Sequence, residues 1–121
     1  MIRVLVTDDS RVMRQIVLRT LRQAGFSGHD FVEAEDGADA FAKVQSEKPD
    51  LVLSDWNMPN KSGIDLLRDL RGTGNAVPFG FVTSEGSEDM RETAANAGAM
   101  FLIAKPFTPE AFQEVLSDVL G

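Results

Sequence analysis

The sequence of 121 residues contains no cysteine. This absence excludes disulfide bonds, thiolate nucleophiles and thiolate metal sites, and it agrees with a reducing, cytosolic setting. The chain also lacks any apolar run near the roughly 20 residues that a membrane-spanning helix needs. A strand-like pattern begins at Ile2, with no basic and then apolar leader before it. We therefore expect a cytoplasmic protein with no membrane partner.

Positive charge is scarce in this sequence. The chain has 12 Lys and Arg against 19 Asp and Glu, a formal net charge of −7, and its basic residues form no cluster. Because a nucleic-acid backbone is held by clustered Lys and Arg, we expect no nucleic-acid partner. The length and the 43% hydrophobic content predict one compact domain over residues 1–121, with no room for a second.

Short apolar or β-branched runs alternate with helical patterns along the whole chain. Strands are expected at Ile2–Thr7, Asp30–Glu35, Asp50–Ser54, Pro78–Thr83 and Met100–Ala104. Helices are expected from the cap Ser10 to Gly25, over Ala38–Ser46, from Ser62 to the turn at Gly72, over Ser87–Ala97, and after the cap Thr108. Such alternation predicts an α/β fold, a doubly wound five-stranded parallel sheet with five helices.

The spacing of apolar residues predicts which face of each helix meets the core. The predicted core faces are Met13, Ile16, Val17, Thr20 and Leu21 in the first helix and Phe112, Val115, Leu116 and Val119 in the last. Asp36 and Gly37 are expected to form a turn before the second helix. Gly80 is unusual inside a strand, where a glycine gives up packing and indicates either a close backbone approach or an altered core.

Charged and hydroxyl residues occupy the carboxyl ends of the predicted strands. Asp8 and Asp9 follow the first strand, Asp55 the third and Lys105 the fifth, while Thr83 ends the fourth. Ligands of an open parallel sheet bind in the crevice outside these ends. The sequence therefore predicts three carboxylates, one hydroxyl and one ammonium group at a single rim.

Three acids at one rim repel one another, by roughly 1 to 4 kcal/mol for two charges about 4 Å apart. Mg²⁺ offsets this cost, because it prefers one or two carboxylates together with water and a phosphate oxygen. Asp8 or Asp9, with Asp55, meets that requirement. Asp55 ends the central strand and is the best placed carboxylate to attack a phosphorus centre. Thr83 and Lys105 would then bind phosphoryl oxygens.

Four short motifs carry a family resemblance. They are the paired acids within Val6–Ser10, the run Asp55–Pro59 followed by Gly63, the run Val82–Ser84, and Lys105–Phe107. In this order and spacing they resemble the response-regulator receiver domains, over essentially the entire chain, and among them the chemotaxis type. The resemblance implies the flavodoxin-like strand order 2-1-3-4-5.

The resemblance also implies roles for the rim residues. Asp8 and Asp9 would bind Mg²⁺, with the backbone carbonyl of Asn57 completing the metal shell. Asp55 would accept a phosphoryl group from a histidine kinase or a phosphotransfer protein, and Thr83 and Lys105 would contact that group. We expect a switch that catalyses its own phosphorylation and dephosphorylation, not an enzyme with a metabolic substrate.

Further roles are implied for residues around this rim. Asn57 and Glu85 match positions that tune self-dephosphorylation, and their identities are similar to the chemotaxis type with its short-lived phosphoryl state. The Lys105–Pro106 bond is implied to be cis. The output is implied to be a contact of this chain, as a monomer, with a downstream protein. The chain would be either a stand-alone regulator or part of a longer one. The surface for this contact would be the fourth helix, fifth strand and fifth helix, around Leu102.

One position departs from the family pattern. Thr83 and Leu102 match the switch positions, but Leu102 stands three residues before Lys105, where receivers often have Tyr or Phe that turns inward on phosphorylation. Phe101 is not an easy substitute, because neighbouring residues of a strand point to opposite faces of the sheet. We therefore expect a switch without the usual aromatic side chain.

Three other functions share parts of this pattern. A flavodoxin-like module that binds a nucleotide or flavin phosphate needs glycines and hydroxyls after the first strand, where this chain has two acids. A phosphatase with an Asp nucleophile needs another acid close after it, but Trp56 and Asn57 follow Asp55. A phosphate sink has the chemistry of a receiver and no downstream partner, and the sequence is equally compatible with it.

Overall fold

The structure is a computed structural model that describes residues 2–105 and 107–120, with side chains in the last helix described up to Ser117. The Lys105–Pro106 bond and the core contact predicted for Val119 therefore lie outside the described residues. None of the helices in the described part of the chain combines the length and hydropathy that a bilayer crossing requires.

A single sheet of parallel strands forms the centre of the molecule. Its strands are β1 (Arg3–Thr7), β2 (Asp30–Ala34), β3 (Leu51–Ser54), β4 (Phe79–Thr83) and β5 (Phe101–Ala104). They pair in the order β2-β1-β3-β4-β5, and every pairing is parallel. Each residue of β3 and β4 is buried, as expected of strands covered on both faces. The structure thus confirms the predicted sheet and strand order.

Five α-helices cover the two faces of the sheet. They are α1 (Arg11–Leu21, continued by a π-helical turn at Arg22–Phe26), α2 (Gly37–Glu47), α3 (Gly63–Gly72), α4 (Glu88–Ala97) and α5 (Pro109–Leu120). In all five helices the N-cap side chain accepts a hydrogen bond from the amide three residues later; the caps are Ser10, Asp36, Ser62, Ser87 and the predicted cap Thr108. Such a cap contributes about 1 kcal/mol to helix stability.

The predicted turn at Asp36 and Gly37 is wrong. Asp36 caps α2, its carboxylate accepting a hydrogen bond of 2.7 Å from the amide of Asp39, and the helix begins at Gly37. The preference of Asp for the N-cap position prevails over the turn tendency of the Asp-Gly pair. A side chain at Gly37 would overlap Lys61, which explains the glycine at this first helical position.

The predicted core face of α1 is wrong at one residue and incomplete at another. Ile16 is 37% exposed, whereas Leu18, which was not predicted to face the core, is only 4% exposed. Leu18 belongs to the core cluster that also contains Phe112 and Leu116 of α5. Because α1 packs against α5 as well as against the sheet, its buried stripe turns toward Leu18 and away from Ile16.

Gly80 makes room for an aromatic ring from the neighbouring strand. Gly80 on β4 is paired with Phe101 on β5, and a Cβ atom at Gly80 would overlap the Phe101 ring. Phe101 packs against the core beneath α1 and α5, while Leu102 is buried in the core beneath α2, α3 and α4. This confirms that the two neighbours face opposite sides of the sheet, so that Phe101 does not occupy the place of Leu102.

Replacing Gly80 by Ala should therefore lower the free energy of unfolding by about 1 to 2 kcal/mol, the usual cost of an overfilled core site. Urea denaturation of the metal-free protein measures this cost. The matched control is Gly80→Ala in a Phe101→Leu background, where a smaller side chain leaves space for the new methyl group. Equal losses in the two backgrounds would contradict the proposed role of the ring.

Candidate functional site

The backbone brings the predicted site residues to one rim of the sheet. Sheet-like hydrogen bonds continue one residue past the strands: the amide of Asp55 donates to the carbonyl of Thr7 at 2.9 Å. In the same way Lys105 donates to Thr83 at 3.0 Å, and Asp8 donates to Ala34 at 3.1 Å. The residues that follow β1, β3 and β5 are therefore held in register with the sheet, and they do not belong to free loops.

The three predicted acids form one cluster at this rim. Carboxylate oxygens of Asp8, Asp9 and Asp55 all lie within 4.8 Å of one another. Asp8 is only 6% exposed, Asp55 is half-buried and Asp9 faces solvent. Their convergence was predicted from the strand ends, and the structure brings all three together.

Burial and mutual repulsion disfavour ionisation in this cluster. Burial raises the pKa of Asp8 from its ordinary value of 3.8 to about 6, and the charges of Asp55 and Asp9 add to this effect. The amide of Ser10, which donates to Oδ1 of Asp8 at 2.9 Å, acts in the opposite direction. A nearby cation stabilises the ionised form of a buried carboxyl group whose pKa is raised in this way.

Asp55 lies between groups with opposing effects. Burial raises its pKa, and the charge of Asp9 adds to this. The amide of Trp56, which donates to Oδ1 of Asp55 at 2.7 Å, the hydroxyl of Thr83 and the ammonium group of Lys105 all lower it. Thr83 is fully buried, whereas Lys105 is exposed. Both predicted phosphoryl-binding residues therefore lie close enough to Asp55 to favour its ionised form.

The backbone around Asp55 packs closely against the start of α3 and against Phe81 of β4. The amide of Gly63, the first residue of α3, donates to the carbonyl of Trp56 at 2.8 Å. A Cβ atom at Gly63 would overlap the carbonyl oxygen of Asp55, so only glycine permits this approach of α3 to the end of β3. The ring of Trp56 packs on Phe81 with centroids 4.7 Å apart. These contacts fix the direction in which the Asp55 side chain leaves the sheet.

Asn57 and Glu85 lie on the solvent side of the rim. Both are exposed, two residues beyond Asp55 and Thr83 respectively. The amide of Glu85 is 3.5 Å from the Thr83 hydroxyl, at the outer limit of a hydrogen bond. Leu102, the other predicted switch position, is buried on β5, where it is paired with Phe81 on the neighbouring strand β4.

Sequence analysis missed two groups that support the site. Asn60 donates through Nδ2 to the Asp36 carboxylate at 2.7 Å and has a positive φ of 66°, and it ties the loop after β3 to the start of α2. Arg14 on α1 donates to the backbone carbonyl of Asp8 at 2.7 Å. The only sequence signal for the first group is an Asn at a turn position, and the second has none, because its acceptor is a backbone atom.

The donor set suits a divalent cation with a preference for oxygen. Three carboxylates converge, one of them with a pKa raised to about 6 by burial and by its neighbours. Mg²⁺ is bound in proteins through one or two carboxylates plus water and substrate phosphate, and sulfur or imidazole ligands are not needed. The residues present therefore fit Mg²⁺. Because Asp55 belongs to the same cluster, a phosphoryl group bound next to the metal would be within reach of its carboxylate.

Comparison with known proteins places the chain among relatives of one kind. Residues 4–117 match the family model of the response regulator receiver domain. The chain is 39% identical over 122 residues to the chemotaxis protein CheY1 of Helicobacter pylori, which covers 98% of this chain and 97% of that protein. It is 38% identical to a CheY homolog of Campylobacter jejuni, covering 98% of this chain and 92% of that protein.

Solved structures agree with these sequence relatives. Vibrio cholerae chemotaxis protein CheY4 superimposes with a TM-score of 0.84 at 34% identity, with 98% of both chains covered. The receiver domain of the Francisella response regulator 1452 gives a TM-score of 0.88 at 24% identity, over 99% of this chain and 97% of the other. The second likeness concerns the fold alone, and both have the doubly wound sheet described above.

Proposed function

This chain belongs to the response regulator receiver family, and on that premise we propose that it is a Mg²⁺-dependent phosphorylation switch whose phosphoryl acceptor is Asp55. The donor would be the phosphohistidine of a histidine kinase or phosphotransfer protein in the cytoplasm. The observation that carries the proposal is the convergence of three carboxylates at one rim, with Thr83 and Lys105 acting on the same Asp55 side chain.

In the proposed reaction, a carboxylate oxygen of Asp55 attacks the phosphorus of the donor. A P–O bond to Asp55 forms while the P–N bond to the donor imidazole breaks, and the electron pair of that bond returns to the imidazole nitrogen. Asp8, Asp9 and the backbone carbonyl of Asn57 would hold Mg²⁺. When bound, this metal would neutralise the negative charge of the transferring phosphoryl group.

Thr83 and Lys105 have two tasks in this proposal. Before transfer, both favour the ionised form of Asp55, which is the form that can attack phosphorus. After transfer, the Thr83 hydroxyl would donate a hydrogen bond to one phosphoryl oxygen and the Lys105 ammonium group would pair with another. Because Thr83 is fully buried at the end of β4, any movement toward the phosphoryl group would also move the backbone that leads to α4.

The proposed output is a change in protein binding. Phosphorylation adds about −1.5 to −2 charges at Asp55, and this charge must be converted into a different surface. We propose the surface of α4, β5 and α5, where Met100 is 54% exposed beside Leu102. The chain would act as a monomer of the chemotaxis type, without a metabolic substrate. Exposure of Asn57 and Glu85 supports the access of water that self-dephosphorylation requires.

Incubation with acetyl phosphate tests this function without the cognate kinase. In the presence of Mg²⁺ we expect the addition of one phosphoryl group, detected by intact-protein mass spectrometry and released by hydroxylamine as an acyl phosphate must be. In EDTA the reaction should be at least about 100-fold slower, which corresponds to about 2.7 kcal/mol of lost charge stabilisation. A protein that stays unmodified in Mg²⁺, or whose phosphate resists hydroxylamine, would contradict the proposal.

A further inference from the structure

The guanidinium group of Arg14 on α1 holds the peptide that carries the acid pair Asp8 and Asp9 at the end of β1. We propose that Arg14 is a positioning residue for the metal site: it fixes the peptide that links Asp8 to Asp9, and so directs both carboxylates toward the cation. This inference rests on the proposed function. Arg14 itself offers no metal ligand, and its side-chain hydrogen bonds among the described residues go to Glu33 and to the Asp8 carbonyl, not to Asp55.

Arg14 uses two separate donors for this contact. Its Nη1 donates to the backbone carbonyl of Asp8 at 2.7 Å, while its Nε donates to Oε1 of Glu33 on β2 at 2.9 Å. The Arg14 side chain is only 14% exposed. The guanidinium plane is therefore fixed at one end by β2, and its other end is held against the loop after β1.

The carbonyl of Asp8 belongs to the peptide unit between the two acids. Because this unit is planar and rigid, holding its carbonyl in place restricts ψ of Asp8 and φ of Asp9, the two torsions that orient the neighbouring side chains. Elsewhere Asp8 is already fixed, since its amide donates to Ala34 and its Oδ1 accepts from Ser10. Among the described residues, Arg14 supplies the side-chain hydrogen bond to the carbonyl of this peptide.

A charge effect and a positioning effect have opposite signs here. If Arg14 acted only through its charge, it would repel Mg²⁺, and its removal would tighten metal binding. If Arg14 positions the acids, its removal weakens metal binding even though the site becomes more negative. Lysine keeps the charge but has a single flexible ammonium group in place of the planar fork, so it cannot reproduce both contacts in this geometry.

Isothermal titration of the full chain with Mg²⁺ at fixed salt separates these effects, and the fluorescence of Trp56 gives a second readout. We expect Arg14→Gln to weaken Mg²⁺ binding about tenfold or more, the scale found when outer partners of metal ligands are lost. Arg14→Lys should give a smaller loss. The matched control is Arg11→Gln, an exposed arginine on the same helix, which should bind Mg²⁺ as tightly as the unmodified chain or more tightly.

Thermal unfolding without metal shows whether each variant folds. If Arg14→Gln does not fold, Arg14→Lys decides: weaker Mg²⁺ binding supports the positioning role, and unchanged binding overturns it. If Arg14→Gln folds and binds Mg²⁺ as tightly as Arg11→Gln, the inference is wrong while the proposed function stands. A failure of the unmodified chain to bind Mg²⁺ at millimolar concentration would instead overturn the proposed function itself.

Discussion

Replacing Asp55 by Asn should abolish phosphorylation, whereas replacing Asp9 by Asn should leave a reaction that added Mg²⁺ restores. An amide at position 55 keeps the shape of the side chain but is not a nucleophile, so the rate with acetyl phosphate should fall at least about 1000-fold, or about 4 kcal/mol. Asp9 belongs to the same cluster but lies on its exposed side. Its loss should raise the half-saturating Mg²⁺ concentration by at least about tenfold and change the rate at saturation less.

The two variants are matched, because each converts one carboxylate of the cluster to an isosteric amide and removes one negative charge. Intact-protein mass spectrometry over a series of Mg²⁺ concentrations compares them directly. If Asp55→Asn still acquires a hydroxylamine-labile phosphoryl group at saturating Mg²⁺, another carboxylate is the acceptor. If Asp9→Asn is as inactive as Asp55→Asn at every Mg²⁺ concentration, the separation of metal-binding and acceptor roles is wrong.

The rim of the site could be predicted from the sequence because the fold is periodic. Once five strands of a parallel sheet are located, the residues after their carboxyl ends share an edge. The strand pattern alone therefore predicts that Asp8, Asp55 and Lys105 lie near one another. The same reasoning put Leu102 and Phe101 on opposite faces, since the period of a strand is two residues, and the structure confirms this.

The features that sequence analysis missed depend on contacts with no local pattern. The bond of Arg14 to Asp8 ends on a backbone carbonyl, which every residue has. Leu18 is buried because α1 meets α5 as well as the sheet, and helical spacing alone does not reveal how many neighbours a helix has. Gly80 indicates a close backbone approach or an altered core, but the group that approaches is a side chain, the ring of Phe101, and its position depends on the register of β4 against β5.

Replacing Asp8 by Asn should stabilise the metal-free protein and remove most of its response to Mg²⁺. The pKa of Asp8 is raised from 3.8 to about 6 in the folded state, so between these values the folded chain holds a proton that the unfolded chain has lost. Rising pH therefore penalises the folded state across this window, and the penalty is complete above about pH 7. At that pH we expect Asp8→Asn to unfold with about 1 to 3 kcal/mol more free energy than the unmodified chain in EDTA.

The dependence on pH and on metal distinguishes this effect from a general stabilisation. Below about pH 4 Asp8 of the unmodified folded chain is protonated, so this chain and the Asp8→Asn variant both carry a neutral group at position 8. The gain in stability from Asp8→Asn should then disappear. Added Mg²⁺ should cancel or reverse this gain, because it stabilises the unmodified fold by about 2.7 kcal/mol at 100 times its dissociation constant and has little to bind in the variant. Urea denaturation at several pH values, with EDTA and with Mg²⁺, measures all of these quantities. A gain that is equal at every pH, or that survives in Mg²⁺, would show that Asp8 is not held at an electrostatic cost that the cation relieves.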